Sequence, residues 1–245
     1  MPAFQRNVTP NVAPALLPRL IEQWAAHNQV VATGWAAPRV AYIAIHSWER
    51  KHGRDAFEPA FKALAEFRNA PALIIDMRLN TGGDELIARE FAGCFIERRA
   101  LYARHVHVDP SSPTGFSTPV ERWLKPSPGR PRFAGNVVVL MGPANMSSAE
   151  SFLRMMKQAP NVTLIGRPSY GSSGNPKPHA LGNGVTLFPP SWKVSAPDGA
   201  VIEGKGSAPD WRLPSRRTPA HARPGAGTRR RASAQGEEVG LEHMP

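Results

Sequence analysis

The stretch Leu73-Ile-Ile-Asp-Met-Arg-Leu-Asn-Thr-Gly-Gly83 joins a short apolar run to a polar turn that carries two glycines. The run from Ala72 to Met77 is almost wholly apolar, which is typical of a strand buried on both faces of a sheet. The residues from Asp84 to Phe95 follow directly and have the apolar spacing of a helix. Strand, turn and helix in this order form the repeating unit of α/β folds.

The same unit returns later in the chain. A second buried strand is predicted over Asn136–Met141, followed by a turn that holds Ser147 and a helix that runs to about Gln158. A third short strand is predicted over Val162–Ile165, and the alternating residues of Arg39–Trp48 predict an earlier one. The sequence therefore predicts an α/β fold around a mostly parallel sheet.

The remaining segments are less regular. They are predicted as a helix over Leu16–Ala26, a helix over Asp55–Arg68 capped by Asp55, a strand over Leu101–Val108, a long loop over 109–135, and a hairpin-rich region over 168–210 with turns at Gly182-Asn-Gly184 and Pro197-Asp-Gly199. The predicted organisation is an N-terminal helical segment (1–38), a core domain (39–213) and a basic tail (214–245) that is expected to be disordered, because it has too few apolar side chains to offset its ordering entropy.

Composition excludes several classes of protein. The 245 residues are 41% hydrophobic, enough to form a core, and a single Cys excludes a disulfide framework or a multi-cysteine zinc site. The net charge is +11, but residues 214–245 hold six Arg and three Glu, a net +3, which leaves +8 for the rest. No basic cluster with interleaved aromatic residues is found, including at Arg229–Arg231, so we expect no nucleic-acid partner.

The sequence also gives an expectation for location. No run approaches the roughly 18–20 apolar residues that a membrane-spanning helix needs, and the first 18 residues lack the apolar run of a signal peptide. As written, the chain is expected to be cytoplasmic; a truncated N-terminus would make a periplasmic or secreted location possible.

Two strand-to-helix turns are the places where chemistry is expected, because ligands of α/β folds gather at the carboxyl ends of the strands. Gly82 and Gly83 let backbone amides approach a ligand, since glycine has no Cβ. Ser147 and Ser148 open the next helix, where N–H groups could stabilise an oxyanion. An alternative is that Ser147 is only a helix cap, with Glu150 closing a capping box.

Five sequence blocks follow one another along the chain. They are Leu73 to Gly83, Val137-Val-Val-Leu-Met141 with Asn145-Met-Ser-Ser-Ala-Glu150, Leu164-Ile-Gly-Arg-Pro-Ser-Tyr-Gly171 with Gly174-Asn-Pro176, Leu181-Gly-Asn-Gly-Val185, and Pro197-Asp-Gly199 with Ile202-Glu-Gly-Lys-Gly206 and Pro209-Asp210. In this order they resemble the family of C-terminal processing (tail-specific) and tricorn-type serine peptidases, over about Val40 to Asp210. The first block is close to the family pattern hydrophobic-D-L-R-x-N-x-G-G, and the second is close to S-A-S-A-S-E.

The resemblance implies a fold similar to the ClpP/crotonase architecture and a serine-type peptidase that acts on peptides or protein C-terminal segments. It implies that Ser147 is the nucleophile and that the oxyanion amides lie near Gly82 or Gly83 and at Ser148. No cofactor and no metal are implied, the partner is a peptide or protein substrate, and a homo-oligomer is possible.

The general base is the position at which this sequence departs from the family. The lysine of the processing peptidases falls on Ser172 and their acidic partner on Gln158, so the Ser–Lys dyad is absent and Lys177 is a weak substitute. The tricorn-like histidine falls on Ala44, but His46 lies two residues on and would face the same way in a strand.

The late glutamate of the tricorn-like branch corresponds to Glu203, which could orient the imidazole as the third member of a triad. The expected set is thus Ser147, His46 and Glu203. A related protein that has lost its base, and that binds peptides or a small apolar ligand, is the alternative.

Two further groups are predicted to be structural. His105-Val-His107 could present two imidazoles on one strand face, but no third ligand is spaced to complete a zinc site, which favours a polar strand face. Cys94 lies in an apolar helix and is predicted to be a core residue.

Overall fold

The computed structural model describes residues 9–214, and a seven-stranded sheet forms its centre. Its strand order is β1-β2-β3-β4-β7-β8-β12, with the first three strands antiparallel and the last five parallel from β3 onward. The strands are β1 (Glu22–Ala26), β2 (Val31–Ala37), β3 (Val40–Ile45), β4 (Ala72–Asp76), β7 (Asn136–Met141), β8 (Val162–Gly166) and β12 (Trp211–Arg212).

Four α-helices and two smaller sheets complete this part of the chain. The helices are α1 (Leu17–Leu20), α2 (Glu58–Glu66), α3 (Glu85–Ala92) and α4 (Ser148–Met156). One small sheet has the order β11-β5-β6 and the other pairs β9 with β10. Their strands are β5 (Ala100–His107), β6 (Val120–Leu124), β9 (His179–Ala180), β10 (Thr186–Leu187) and β11 (Trp192–Ser195). The predicted α/β fold is confirmed.

The parallel register of the strands brings together the two strand-to-helix turns, one with Gly82 and Gly83 and one with Ser147. Asp76 at the end of β4 pairs with Ala44 of β3 on one side and with Leu140 of β7 on the other. Because parallel strands end at the same edge of a sheet, the turns after β4 and β7 are neighbours.

Helix α4 is buried along its whole length, which fixes the helix start and its first turn in place. Aromatic packing anchors it: the ring centroid of Phe152 lies 5.2 Å from that of Trp48 and 6.2 Å from that of Phe91. Offset and tilted ring pairs of this kind add about 0.5–1.5 kcal/mol each beyond the area that they bury. Strand β5 contacts the same helix.

The helix predicted over Leu16–Ala26 is wrong beyond Leu20. Residues Glu22–Ala26 form β1 instead and pair with β2, so the described part of the predicted helical segment, residues 9–38, adds two strands to the sheet. The physical reason is tertiary: pairing with the buried strand β2 satisfies the backbone of β1, and this outweighs a weak helical pattern.

Two smaller predictions are also wrong. The long loop predicted over 109–135 contains β6, which pairs with β5, and β12 was not predicted. Asp55 makes no capping hydrogen bond; the chain there forms a 3-10 turn before α2 begins at Glu58. The predicted tail lies outside the described residues apart from Pro214. Within residues 9–214, no helix is both long and apolar enough to cross a membrane.

Candidate active site

Ser147 occupies a sharp turn between β7 and α4 and has an unusual backbone. Its φ of 55° and ψ of −127° lie in a region that non-glycine residues rarely adopt. Such a conformation costs about 1–3 kcal/mol and persists only where the surrounding structure imposes it. A serine on a strained strand-to-helix turn is the geometry of a nucleophile elbow, which presents the hydroxyl above the sheet.

The capping-box alternative is wrong. The Ser147 side chain makes no capping hydrogen bond, and Glu150 does not reach back to it. Glu150 is 0% exposed and binds a later loop instead. Its carboxylate accepts hydrogen bonds from four donors: Ser169 Oγ (2.5 Å), Ser173 Oγ (2.7 Å), the Gly171 amide (2.7 Å) and the Ser172 amide (3.0 Å).

This loop, residues 169–173, is also hydrogen-bonded to the turn that holds Ser147. The Ser147 amide donates to the Ser172 carbonyl at 2.7 Å. The backbone of Ser172, onto which the family resemblance places the lysine of the processing peptidases, therefore lies beside Ser147.

Asn145 joins the two turns. Its side-chain amide donates to the Met77 and Asn80 carbonyls, and its side-chain oxygen accepts from the Gly142 amide at 2.8 Å. Asn145 is fully buried, so these contacts are made in surroundings where a lost partner is costly.

Gly82 lies against the turn that holds Ser147. A Cβ at this glycine would stand 2.8 Å from the Met146 carbonyl oxygen, 3.0 Å from Ser147 Cβ and 3.3 Å from the Ser148 amide nitrogen. Its φ of 112° also lies in the region that favours glycine. Glycine is therefore required here both for space and for conformation.

The backbone amides of Gly82, Gly83 and Ser148 differ in whether they already have a hydrogen-bond acceptor. The Gly82 amide donates to Asn80 Oδ1 at 2.9 Å, so it is already used. The Gly83 and Ser148 amides have no acceptor within residues 9–214. Ser148 is the first residue of α4, where the helix leaves its N–H groups unpaired and positive.

Ser147 and Ser148 line a cavity of about 570 Å³ together with Gly83. Ser151, Ser173, His105 and Trp192 also line it, together with the charged residues Glu49, Arg50, Lys51, Asp84 and Glu85. Trp192 is held by a 2.7 Å hydrogen bond from its indole N–H to the Ser173 carbonyl.

His46 lies elsewhere. It follows β3, its amide donates to the Val30 carbonyl at 2.8 Å, and it is not among the residues that line the Ser147 cavity. Burial lowers its pKa, while the Asp76 carboxylate and the Gln29 backbone act in the opposite direction. The described structure thus does not bring His46 and Ser147 together in one cavity.

Glu203 is hydrogen-bonded to the same loop, at Ser173. Its carboxylate accepts the Ser173 amide at 2.9 Å, and in the described part of the chain no hydrogen bond joins it to an imidazole. Lys177 and Gln158 line no part of the Ser147 cavity, and Gln158 donates to the Arg154 carbonyl.

The polar strand face expected for His105 is wrong, because this side chain is only 2% exposed. Its ring packs against Trp192 with centroids 4.8 Å apart, and neither ring nitrogen has a hydrogen-bond partner in the described structure. Burial lowers the pKa of His105 to about 4. The period-two pattern of β5 places His105 on the same face as the buried Ala103, but it places His107 there as well, so the sequence pattern does not separate the two.

Cys94 is buried, and its Sγ lies 3.7 Å from the Glu90 carbonyl oxygen, in keeping with the core position that was predicted. Burial raises the pKa of its thiol to about 12. Across residues 9–214, no group of three or more His, Cys, Asp or Glu side chains is placed to hold a metal ion.

Comparison with known proteins identifies the family and supports the fold. The profile of peptidase family S41 matches residues 39–213. A solved candidate peptidase from Parabacteroides merdae is 25% identical with a TM-score of 0.70; the match covers 80% of this chain and 61% of that one. Mature CPAF in complex with lactacystin is 16% identical with a TM-score of 0.67, covering 79% and 52%.

A third solved structure, the photosystem II D1 C-terminal processing protease, is 18% identical with a TM-score of 0.54, covering 71% of this chain and 42% of that one. The chain therefore spans about half the length of these structures. The matches below 25% identity concern the fold alone.

Proposed function

Since the chain belongs to peptidase family S41, we propose that it is a serine-type peptidase in which Ser147 is the nucleophile. The observation that carries the proposal is the strained backbone of Ser147 at the start of α4. A capping serine needs no such conformation, whereas a nucleophile gains exposure and freedom from competing hydrogen bonds.

The proposed oxyanion site consists of the Gly83 and Ser148 amides. Both are free of acceptors in residues 9–214, and both adjoin Ser147 in one cavity. Amides fixed in position before the reaction stabilise the charge that develops on the carbonyl oxygen without reorganisation. Gly82 would serve differently, by letting the two turns approach.

The proposed substrates are peptides or C-terminal segments of proteins, and the proposed architecture is similar to that of ClpP and crotonase. The cavity supports a peptide substrate, because charged side chains and the ring of Trp192 line it beside Ser147. His46 and Glu203 are not favoured as the partners of Ser147, because neither of them lines the cavity that holds Ser147.

An inactive peptide-binding protein is the second candidate. The observation that favours it is Ser172, which stands beside Ser147 where the processing peptidases carry lysine. An inactive peptide-binding protein would use the same cavity, but it would need no group to accept the proton of Ser147.

Labelling with a fluorophosphonate probe separates the two. We expect the native protein to be labelled and Ser147→Ala to be unlabelled. Ser148→Ala is the matched control, because it removes the neighbouring hydroxyl and keeps the backbone amide. Labelling that persists in Ser147→Ala would exclude this nucleophile, and an unlabelled native protein would favour the inactive candidate.

A further inference from the structure

We infer that His105 is the general base for Ser147, an inference that rests on the proposed peptidase function. A base must lie where it can receive the hydroxyl proton, and His105 lines the same cavity as Ser147. Strand β5 carries it there by packing against α4.

The other proton acceptors of the cavity already have partners. Glu49 is ion-paired with Lys51, and Asp84 is ion-paired with Arg50. Asp84 also caps α3, since its carboxylate accepts the Leu86 amide at 2.7 Å. Both carboxylates are thus already paired with a cation in the described structure.

Glu85 is engaged as well. Its carboxylate accepts the Tyr102 hydroxyl and forms an ion pair with Arg122 at 3.1 Å. His105 differs from all of these lining groups, because both its Nδ1 and its Nε2 lack a hydrogen-bond partner among the described residues.

The surroundings of His105 keep it neutral. Burial is the main cause of its low pKa, and the positive charges of Arg122 and Arg154 and the neighbouring His107 act in the same direction. The carboxylate of Glu85 acts in the opposite direction and would stabilise the imidazolium once the proton has arrived. A neutral imidazole at neutral pH is the form that can accept a proton.

The step balances with groups that the chain supplies. Ser147 Oγ forms a bond to the carbonyl carbon as its O–H bond breaks, and the proton passes to a ring nitrogen of His105. The carbonyl electron pair moves to the oxygen, which the Gly83 and Ser148 amides hold. The imidazolium then gives its proton to the leaving amine as the C–N bond breaks, and water later cleaves the acyl-enzyme.

The test measures the rate of fluorophosphonate labelling in the native protein, His105→Gln, His105→Ala, His107→Gln and Ser147→Ala. His107 is the matched control, because it lies two residues along the same strand and also packs against Trp192, with ring centroids 5.5 Å apart, but does not line the cavity. We expect His105→Gln to lower the rate at least about 100-fold, the usual contribution of a general base, and His107→Gln to change it less than about threefold.

Rescue by imidazole separates a base from a residue that only packs, and the pH dependence tests whether the pKa of that base is lowered. Added imidazole is expected to restore labelling of His105→Ala by at least about tenfold. The native rate at pH 5.5 is expected to stay within about twofold of that at pH 7.5, whereas a base with an ordinary histidine pKa would lose about tenfold.

The outcomes are distinct. Labelling of His105→Gln at the native rate, with Ser147→Ala unlabelled, would overturn the role of His105 and leave the proposed function intact. Loss of labelling without imidazole rescue, in variants that keep the native unfolding temperature, would also overturn it. Labelling of Ser147→Ala, or none in the native protein, would overturn the proposed function itself.

Discussion

Gly82 and Ser147 are so close that a Cβ on the glycine would stand 3.0 Å from the Cβ of the serine. This contact joins the turn after β4 to the turn after β7, and it sets the positions of the Gly83 and Ser148 amides. Gly82 and Ser147 both have positive φ, which glycine adopts freely and serine rarely does, so the backbone strain lies at Ser147.

Gly82→Ala is expected to lower the free energy of unfolding by more than about 1 kcal/mol, because the methyl group meets the Met146 carbonyl and alanine disfavours φ of 112°. Labelling of Ser147 should fall with it. Gly129→Ala is the control, since Gly129 also has positive φ (73°) but no atom within 4 Å of its Cβ position. Chemical denaturation measures the free energy of unfolding of both variants. Equal losses in the two would show that Gly82 is not in close contact with the Ser147 turn.

Ser147→Gly should unfold at a higher temperature than Ser147→Ala, although both are unlabelled. Glycine adopts φ of 55° and ψ of −127° without strain, and the relief is of order 1 kcal/mol or more. The matched pair is Ser151→Gly and Ser151→Ala, one turn along α4, where the order should reverse because glycine costs about 1 kcal/mol inside a helix. A less stable Ser147→Gly would show that the elbow is not strained.

Glu150→Gln is expected to destabilise the protein by about 1–3 kcal/mol and to reduce labelling. An amide group would point N–H donors at Ser169, Ser173 or the loop amides, all of which are donors to the carboxylate. The exposed Glu66 provides the control as Glu66→Gln. Thermal unfolding of both variants gives the comparison, and an unchanged Glu150→Gln would mean that this network does not hold the loop.

Stability should fall as the pH drops from 6.5 to about 4, partly because of His105. Its folded pKa of about 4 lies below its ordinary value of 6.5, so in this window the unfolded chain binds more protons. The contribution is fully present above pH 6.5, and its loss is at most about 3 kcal/mol, from 1.36 kcal/mol per pKa unit.

The measurement for His105 is the free energy of unfolding against pH in the native protein and in His105→Gln, whose difference removes the titration of other groups. The native curve should be steeper between pH 4 and 6.5. Parallel curves would mean that the pKa of His105 is not lowered by folding.

The sequence predicted the central strands and the turns that follow them, because buried parallel strands are continuous apolar runs and their turns carry glycine or serine. It could not predict β1, whose pairing with β2 depends on a tertiary neighbour. Ser147 was found through its place in a motif, but its strained backbone is visible only in the structure.

The position of His105 in the cavity, on β5, was not predicted. His105 and His107 look alike in the sequence, yet one is 2% exposed and lines the cavity while the other does not. The tertiary packing around each position decides this, and no local pattern in the sequence encodes it. His46 was chosen because strand parity relates it to Ala44, but the cavity lies elsewhere.

The most direct test of the central claim is to locate the fluorophosphonate adduct by mass spectrometry of the digested native protein. Ser147 as the nucleophile predicts one stoichiometric adduct, on the Ser147 side chain, which is absent after denaturation before labelling. An adduct on Ser148, Ser151 or Ser173, or no adduct on the folded protein, would contradict the claim.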